Sequence, residues 1–186
     1  MAPMGDTSKC TAFVVVTGQP GSGKTTLAQP LARELGAPLL SKDTIKEALA
    51  DALERPNTIT VETSQRLGAA AFEIVWALAA QSAGAVLEAS WDPTIAADRL
   101  RRLGANVIEV HCSCPPSVAQ TRYADRAHER HWVHLDVVRV SDERLWGPDS
   151  AGPQGLSASL VEVDTTSPAD IPSVAREVRR LIDPTG

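Results

Sequence analysis

At 186 residues the chain is of single-domain size and long enough to bury a substantial core. Its composition, 43% hydrophobic and 22% charged, is that of an ordinary globular protein, and a net charge of −5 argues against a chain built to coat nucleic acid or an anionic membrane. Cys10, Cys112 and Cys114 form neither a disulfide framework nor a zinc-type spacing, which fits a reducing cytoplasm. No basic stretch followed by an apolar run opens the sequence, so no signal peptide is expected. The longest apolar region, around 69–80, contains Glu73 and is too short to span a bilayer.

Residues 1–9 are small and polar and are expected to be disordered, leaving one domain over 10–186. Ala12–Thr17 reads as a buried strand running into Gly18-Gln-Pro-Gly21-Ser22-Gly23-Lys24-Thr25-Thr26, which fits the phosphate-loop pattern G-x-x-x-x-G-K-[ST]. Glycines let successive backbone N–H groups curl into an anion-binding nest, and the helix behind adds its own unpaired donors. That helix spans Lys24–Leu35 and is stopped by Gly36; Pro30 inside it predicts a bend. Pro38–Ser41 is a second strand. Asp43–Leu53 is a helix with Ile45, Leu49 and Leu53 on one stripe and Asp43 in position to cap it.

A long helix is predicted over Glu62–Ala83, apolar on two faces. Leu67, Ala71, Ile74 and Leu78 line one, and Phe72, Trp76, Ala79 and Ala83 the other. One face packs on the sheet; the second is core, with a partner subunit or a substrate as alternatives. Ala85–Ser90 is the third strand, and Pro93–Leu103 a helix with Asp92 or its neighbour as N-cap and closed by Gly104. Val107–Cys112 is the fourth strand, and a helix runs from Pro115-Pro116 to about Arg130. Residues from about 126 to 157 read as a mobile lid, Leu160–Asp164 as the fifth strand, and Ala169–Ile182 as the closing helix.

Strands alternating with helices imply an α/β, doubly wound parallel sheet, whose ligands lie beyond the carboxyl ends of the strands. Glu88, Trp91 and Asp92 follow strand three. Arg122, Arg126 and Arg130 recur at i, i+4 and i+8, a spacing at which like charges repel unless an anion lies beside them. His128, His131 and His134 recur every third residue but lack the partner ligands of a metal site. Asp149-Ser-Ala-Gly152 imitates a GTPase switch tetrad, yet it follows no strand and no N-K-x-D accompanies it.

The phosphate loop, the Asp43-Thr-Ile-Lys-Glu-Ala segment and Val161-Glu-Val-Asp-Thr-Thr166 together resemble the P-loop small-molecule kinases. The nearest likeness is to the bacterial AAA-type, chloramphenicol phosphotransferase-like kinases, cousins of shikimate and gluconate kinases. The resemblance implies a three-layer P-loop NTPase fold with a five-stranded parallel sheet ordered 2-3-1-4-5. It also implies ATP and Mg²⁺, and transfer of the γ-phosphate to a hydroxyl of a small molecule. Gly18, Gly21, Ser22, Gly23, Lys24, Thr25 and Thr26 would hold the phosphates, with Arg122 beside the adenine and Thr166 completing the nucleotide site. Thr25 and Glu88 would serve the metal, although related kinases often carry Asp at the latter position. Asp43 would be the general base, helped by Lys24, Arg126 and Arg130. Lys46, Trp91 and Asp92 would join Asp43 around the acceptor.

Blander readings stand beside these: a plain helix cap for Asp43, a surface ion pair for Lys46, and an exposed helix on which Asp125 and Glu129 pair with the arginines. Two other functions stay open, a polynucleotide or tRNA-end kinase and a nucleotide-dependent regulatory module. The acidic net charge argues against the first. A monomer or homodimer, away from membranes, is expected.

Overall fold

Ala12-Phe-Val-Val-Val-Thr17 alternates nothing; it is apolar on both sides because both sides are covered, as in the middle of a parallel sheet. The computed structural model describes residues 12–135 and 151–183. In chain order these form β1 (Ala12–Thr17), α1 (Lys24–Leu35), β2 (Leu39–Ser41), α2 (Lys42–Leu53), α3 (Val61–Ala79), β3 (Ala85–Glu88), α4 (Pro93–Leu103), β4 (Asn106–Ser113), α5 (Pro116–Arg126), β5 (Ser159–Asp164) and α6 (Ile171–Ile182). Short 3₁₀ turns lie at Pro56–Thr58 and Trp132–His134. All strand pairs are parallel, and the order is β2-β3-β1-β4-β5, as the resemblance implied.

Two apolar layers flank the sheet. On one face Val14, Val16, Ile108, Val110 and Val163 pack against Leu27 and Leu31 of α1 and Val174 and Val178 of α6. On the other, Phe13, Val15 and Leu87 meet Val75 and Trp76 of α3 and Ala96 and Leu100 of α4. A third cluster joins Ala50 of α2, Leu67 of α3 and Val133.

Several boundaries differ from expectation. α3 ends at Ala79 rather than Ala83, because Gln81 and Ser82 turn back onto the Leu78 and Ala79 carbonyls. Leu78, placed on an apolar face, is 42% exposed, whereas Val75 is buried. Ser41, not Asp43, caps α2: its hydroxyl accepts from the Thr44 amide, and Asp43 sits inside the first turn. α1, by contrast, runs Lys24–Leu35 with Pro30 inside it, as expected. α5 stops at Arg126, where the Glu129 and Arg130 amides both turn back onto the Arg126 carbonyl.

The segment expected as a mobile lid is anchored where it is described. Val133 is fully buried, and its carbonyl accepts from Ser64 Oγ at 2.6 Å. On the far side, residues 151–157 are fastened to β4. Glu109, wholly buried, takes the Gln154 amide at 2.7 Å and the Leu156 amide at 2.9 Å. Thr17 Oγ1 donates to Glu109 Oε1 at 2.8 Å and lies 3.0 Å from His111 Nδ1, while His111 Nε2 lies 3.1 Å from the Ala151 carbonyl. The rest of the expected lid, the first two residues of the GTPase-like tetrad, the N-terminal segment and Cys10 lie outside the described residues.

Candidate active site

The phosphate loop is shaped by backbone that only glycine tolerates. Gly21 has φ +79°, and a Cβ there would sit 2.1 Å from the Ala119 carbonyl oxygen, so the loop lies directly against α5. Ser22 is fully buried beside it, with Oγ bearing no hydrogen-bond partner among the described residues. Such an orphan costs free energy unless a ligand or water satisfies it. Gly23 precedes α1 as a left-handed cap that leaves the first-turn amides of α1 free of any side-chain cap.

Lys24 is only 7% exposed, and its Nζ donates to the Gly18 and Gln19 carbonyls at 2.8 and 3.0 Å. Burial lowers its pKa below that of an ordinary lysine; Glu88, Cys112 and Asp43 pull the other way, and the charge of Arg126 adds to the lowering. Behind the loop, burial pushes the Cys112 thiol up to about 12, so it is a packing residue rather than a nucleophile.

Glu88 ends β3 with both oxygens engaged. Thr25 Oγ1 donates to Oε1 at 3.1 Å and Ser41 Oγ to Oε2 at 2.6 Å. One carboxylate thereby ties together the ends of β2 and β3 and the start of α1.

Opposite the loop stands Asp43, about a third exposed, paired with Lys42 at 3.0 Å and Arg130 at 2.8 Å. Burial favours the neutral acid, but Lys42, His134 and Arg130 together outweigh it and hold the carboxyl well below the usual carboxylate range. His134 is buried against Glu47, with Nε2 2.6 Å from Oε1. Desolvation lowers its pKa, Asp43 and the Glu47 hydrogen bond oppose this, and Arg130 and Lys46 reinforce it. Lys46 is no surface ion pair. It is 6% exposed and donates to Ser64 Oγ at 2.8 Å, joining α2 to α3 and, through Ser64, to Val133.

These groups line one cavity of about 450 Å³. It brings together Gly18, Gly21, Gly23, Lys24, Thr25, Asp43, Lys46, Glu88, Trp91, Arg126 and Arg130 from the expected set. Ser22 and Thr26 lie in or behind the loop without lining it. Arg122 is turned elsewhere, its guanidinium donating to the Thr165 and Thr166 carbonyls at 2.8 Å each, so it clamps the loop after β5 to α5. Asp92 caps α4 through the Thr94 and Ile95 amides and stands outside this cavity. The three histidines do not converge: His131 pairs with Asp51, His134 with Glu47, and His128 is exposed.

Lys42, Glu47, Tyr123 and Gln154, none of them an expected site residue, line the cavity, as does His134, which the sequence offered only within a histidine repeat. Glu47 was legible, since it lies one turn beyond Asp43 on the same helical face. Its partner His134 is 87 residues away, beyond the reach of local pattern.

The comparisons with known proteins agree with this geometry. A family model described as an AAA domain matches residues 13–145, well over half of the chain, which therefore belongs to that family and has the P-loop small-molecule kinase fold. A candidate kinase from Chloroflexus aurantiacus is 30% identical, with a TM-score of 0.79, and the alignment covers 91% of this chain and 97% of that one. Shikimate kinase from Acinetobacter baumannii, solved with shikimate, has a TM-score of 0.56 at 17% identity, covering 94% of each chain. A gluconokinase from Sinorhizobium meliloti has a TM-score of 0.53 at 17% identity, covering 92% of this chain and 91% of that one. These last two share the fold. A cytidylate kinase from Pyrobaculum neutrophilum is 60% identical over 37 residues, which is 20% of either chain.

Proposed function

We propose that the protein is an ATP-dependent phosphotransferase that moves the γ-phosphate of ATP to a hydroxyl of a small molecule. The observation that carries this reading is that Asp43 shares one cavity with Lys24 and the phosphate loop. A regulatory switch has no need of a charged acceptor-side constellation facing its phosphate site.

The residues fit a bound nucleotide. The positive-φ glycines let the loop lie directly against β4 and α5, and Ser22 Oγ and the α1 amides are donors in want of acceptors. Mg²⁺ would be held by the Thr25 hydroxyl and the Glu88 carboxylate, and it supplies neutralisation of phosphate charge. Lys24 binds the transferring group, and Arg126, whose guanidinium lies 5.6 Å from the Tyr123 ring centroid, supports the charge that gathers on it.

Transfer forms a bond from the acceptor oxygen to phosphorus and breaks the bond to the β,γ-bridging oxygen. ADP leaves, and the hydroxyl proton departs through Asp43. A carboxylate held so acidic is a weak base. Its chief contribution is to orient the hydroxyl by accepting its hydrogen bond, taking the proton late, when a loose transition state has already made that oxygen acidic. Lys42 and Arg130 fix the carboxylate for this task.

The test is ATP consumption with Mg²⁺ across hydroxylated small molecules. Lys24→Ala should abolish turnover. Asp43→Ala should slow transfer by about 10²-fold while nucleotide affinity stays nearly intact. Undiminished turnover in the Asp43 variant removes Asp43 from the mechanism.

A further inference from the structure

A second hollow, of about 290 Å³, opens between α3 and α4 beyond the end of β3. Phe72, Trp76, Trp91 and Ile95 form its apolar walls, with Glu73 and Asp92 at the rim. Three of its polar groups are already engaged: the Trp91 indole N–H donates to the Val16 carbonyl at 3.1 Å, Glu73 pairs with Arg99, and Asp92 caps α4. The rest of the lining is mostly ring surface and the side chain of Ile95, a large aliphatic residue left 57% exposed, with Ser90 at the boundary.

This hollow adjoins the phosphate cavity, because Ser90 and Trp91 line both. The Lys42 ammonium bridges them from another side. It lies 5.6 Å from the Phe72 ring centroid and 3.0 Å from the Asp43 carboxylate. A path of contacts therefore leads from the group that orients the acceptor hydroxyl to the apolar walls. An apolar cavity of roughly 150 Å³ suffices to hold a benzene ring, and this one is about twice as large. The cations nearest Asp43, Lys42 and Arg130, are both bound to it, so a carboxylate on the acceptor would compete with Asp43 for them.

We propose that this cleft is the apolar subsite for the acceptor: the alcohol phosphorylated here carries its hydroxyl on a neutral, ring-bearing body that lies between Phe72, Trp76, Trp91 and Ile95. The inference rests on the phosphotransferase reading. The ring supplies binding only, and the transfer step is the one given above.

Two measurements test it on the full chain. In the first, binding of 2-phenylethanol is followed by saturation-transfer NMR, with glycerol as control, on the natural protein and on Ile95→Asp. Ile95 is exposed enough for the substitution to fold, and unchanged nucleotide binding verifies that it has. Binding of the ring compound should weaken about tenfold or more in the variant, the scale expected when a buried ring meets a carboxylate in place of an aliphatic chain. Absence of binding, or equal binding by the variant, overturns the subsite. In the second, ADP release is compared between ring-bearing alcohols and open-chain polyols or hydroxy acids. A preference for the former that Ile95→Asp abolishes supports the subsite. Equal use of polar acceptors overturns the subsite and leaves the phosphotransferase standing, whereas turnover with no acceptor overturns both.

Discussion

Thr17 is the residue on which the far wall of the phosphate cavity hangs, and Thr17→Val is the substitution that exposes this. Valine keeps the shape and suits the strand, but removes the one hydroxyl shared by Glu109 Oε1 and His111 Nδ1. All three residues are at most 1% exposed, so no solvent replaces what is lost. Glu109 Oε1 keeps the Gln154 amide, whereas His111 Nδ1 is left with no other hydrogen bond seen among the described residues. Each deprived buried group costs about 1–3 kcal/mol, and the extra methyl returns a fraction of that, so the net loss should be roughly 2–4 kcal/mol. For a chain of this size that corresponds to a fall in Tm of about 5–15 °C. Urea denaturation gives the number directly. Thr121→Val, which removes an exposed hydroxyl bonded to the Ser117 carbonyl, is the control and should stay within about 0.5 kcal/mol of the natural protein. Hydrogen exchange at the Gln154 and Leu156 amides should quicken in Thr17→Val, since Glu109 is their acceptor. A loss no larger than that of the control would refute the claim that this network holds the wall in place.

Gly21→Ala should lose roughly 2 kcal/mol or more through its left-handed backbone and the clash with the Ala119 carbonyl, and nucleotide titration should show weakened binding. Gly36→Ala, with φ +63° and nothing within 4 Å of the new methyl, should cost only about 1–2 kcal/mol and spare the site. Stability should also depend on pH through His134. Its folded pKa is depressed, so the unfolded chain binds the proton more readily, and stability falls as pH drops below the unfolded value of about 6.5. His134→Gln should flatten that slope in urea melts taken between pH 5 and 7. The pairing of Asp43 adds no slope in that window, because its advantage is fully present there and is lost only as pH falls below the unfolded carboxylate value of about 3.9.

Much of the scaffold was legible because its causes are local. The apolar run of β1, the glycines behind it and Gly36 set β1 and α1 to the residue. The repeated strand–helix alternation set the class, and the resemblance supplied the strand order. The site was legible in its phosphate half, where a contiguous motif does the binding. The acceptor half was not, since Asp43 meets Arg130 and Glu47 meets His134 across 87 residues each. Of the arginine triplet, Arg126 and Arg130 line the cavity, whereas Arg122 holds the loop after β5, a contact 43 residues away that local pattern does not show. β4 carried an unused signal. Glu109 and His111 alternate with the apolar Ile108, Val110 and Cys112 in the middle of the strand, and ionisable side chains at period two in a central strand mark a buried polar network.

Trp91 is the wall between the two hollows, its indole 5.3 Å from the Trp76 ring and 5.8 Å from Phe72. With the N–H tied to Val16 and the ring buried, its ultraviolet emission should be that of an immobilised, apolar chromophore, seen on top of the other three tryptophans. Whatever enters on the phosphate side and whatever enters on the apolar side alter the surroundings of the same ring. The chain thus carries its own optical gauge, and a titration with both occupants, in either order, reads out on a single intrinsic signal whether filling one hollow changes the filling of the other.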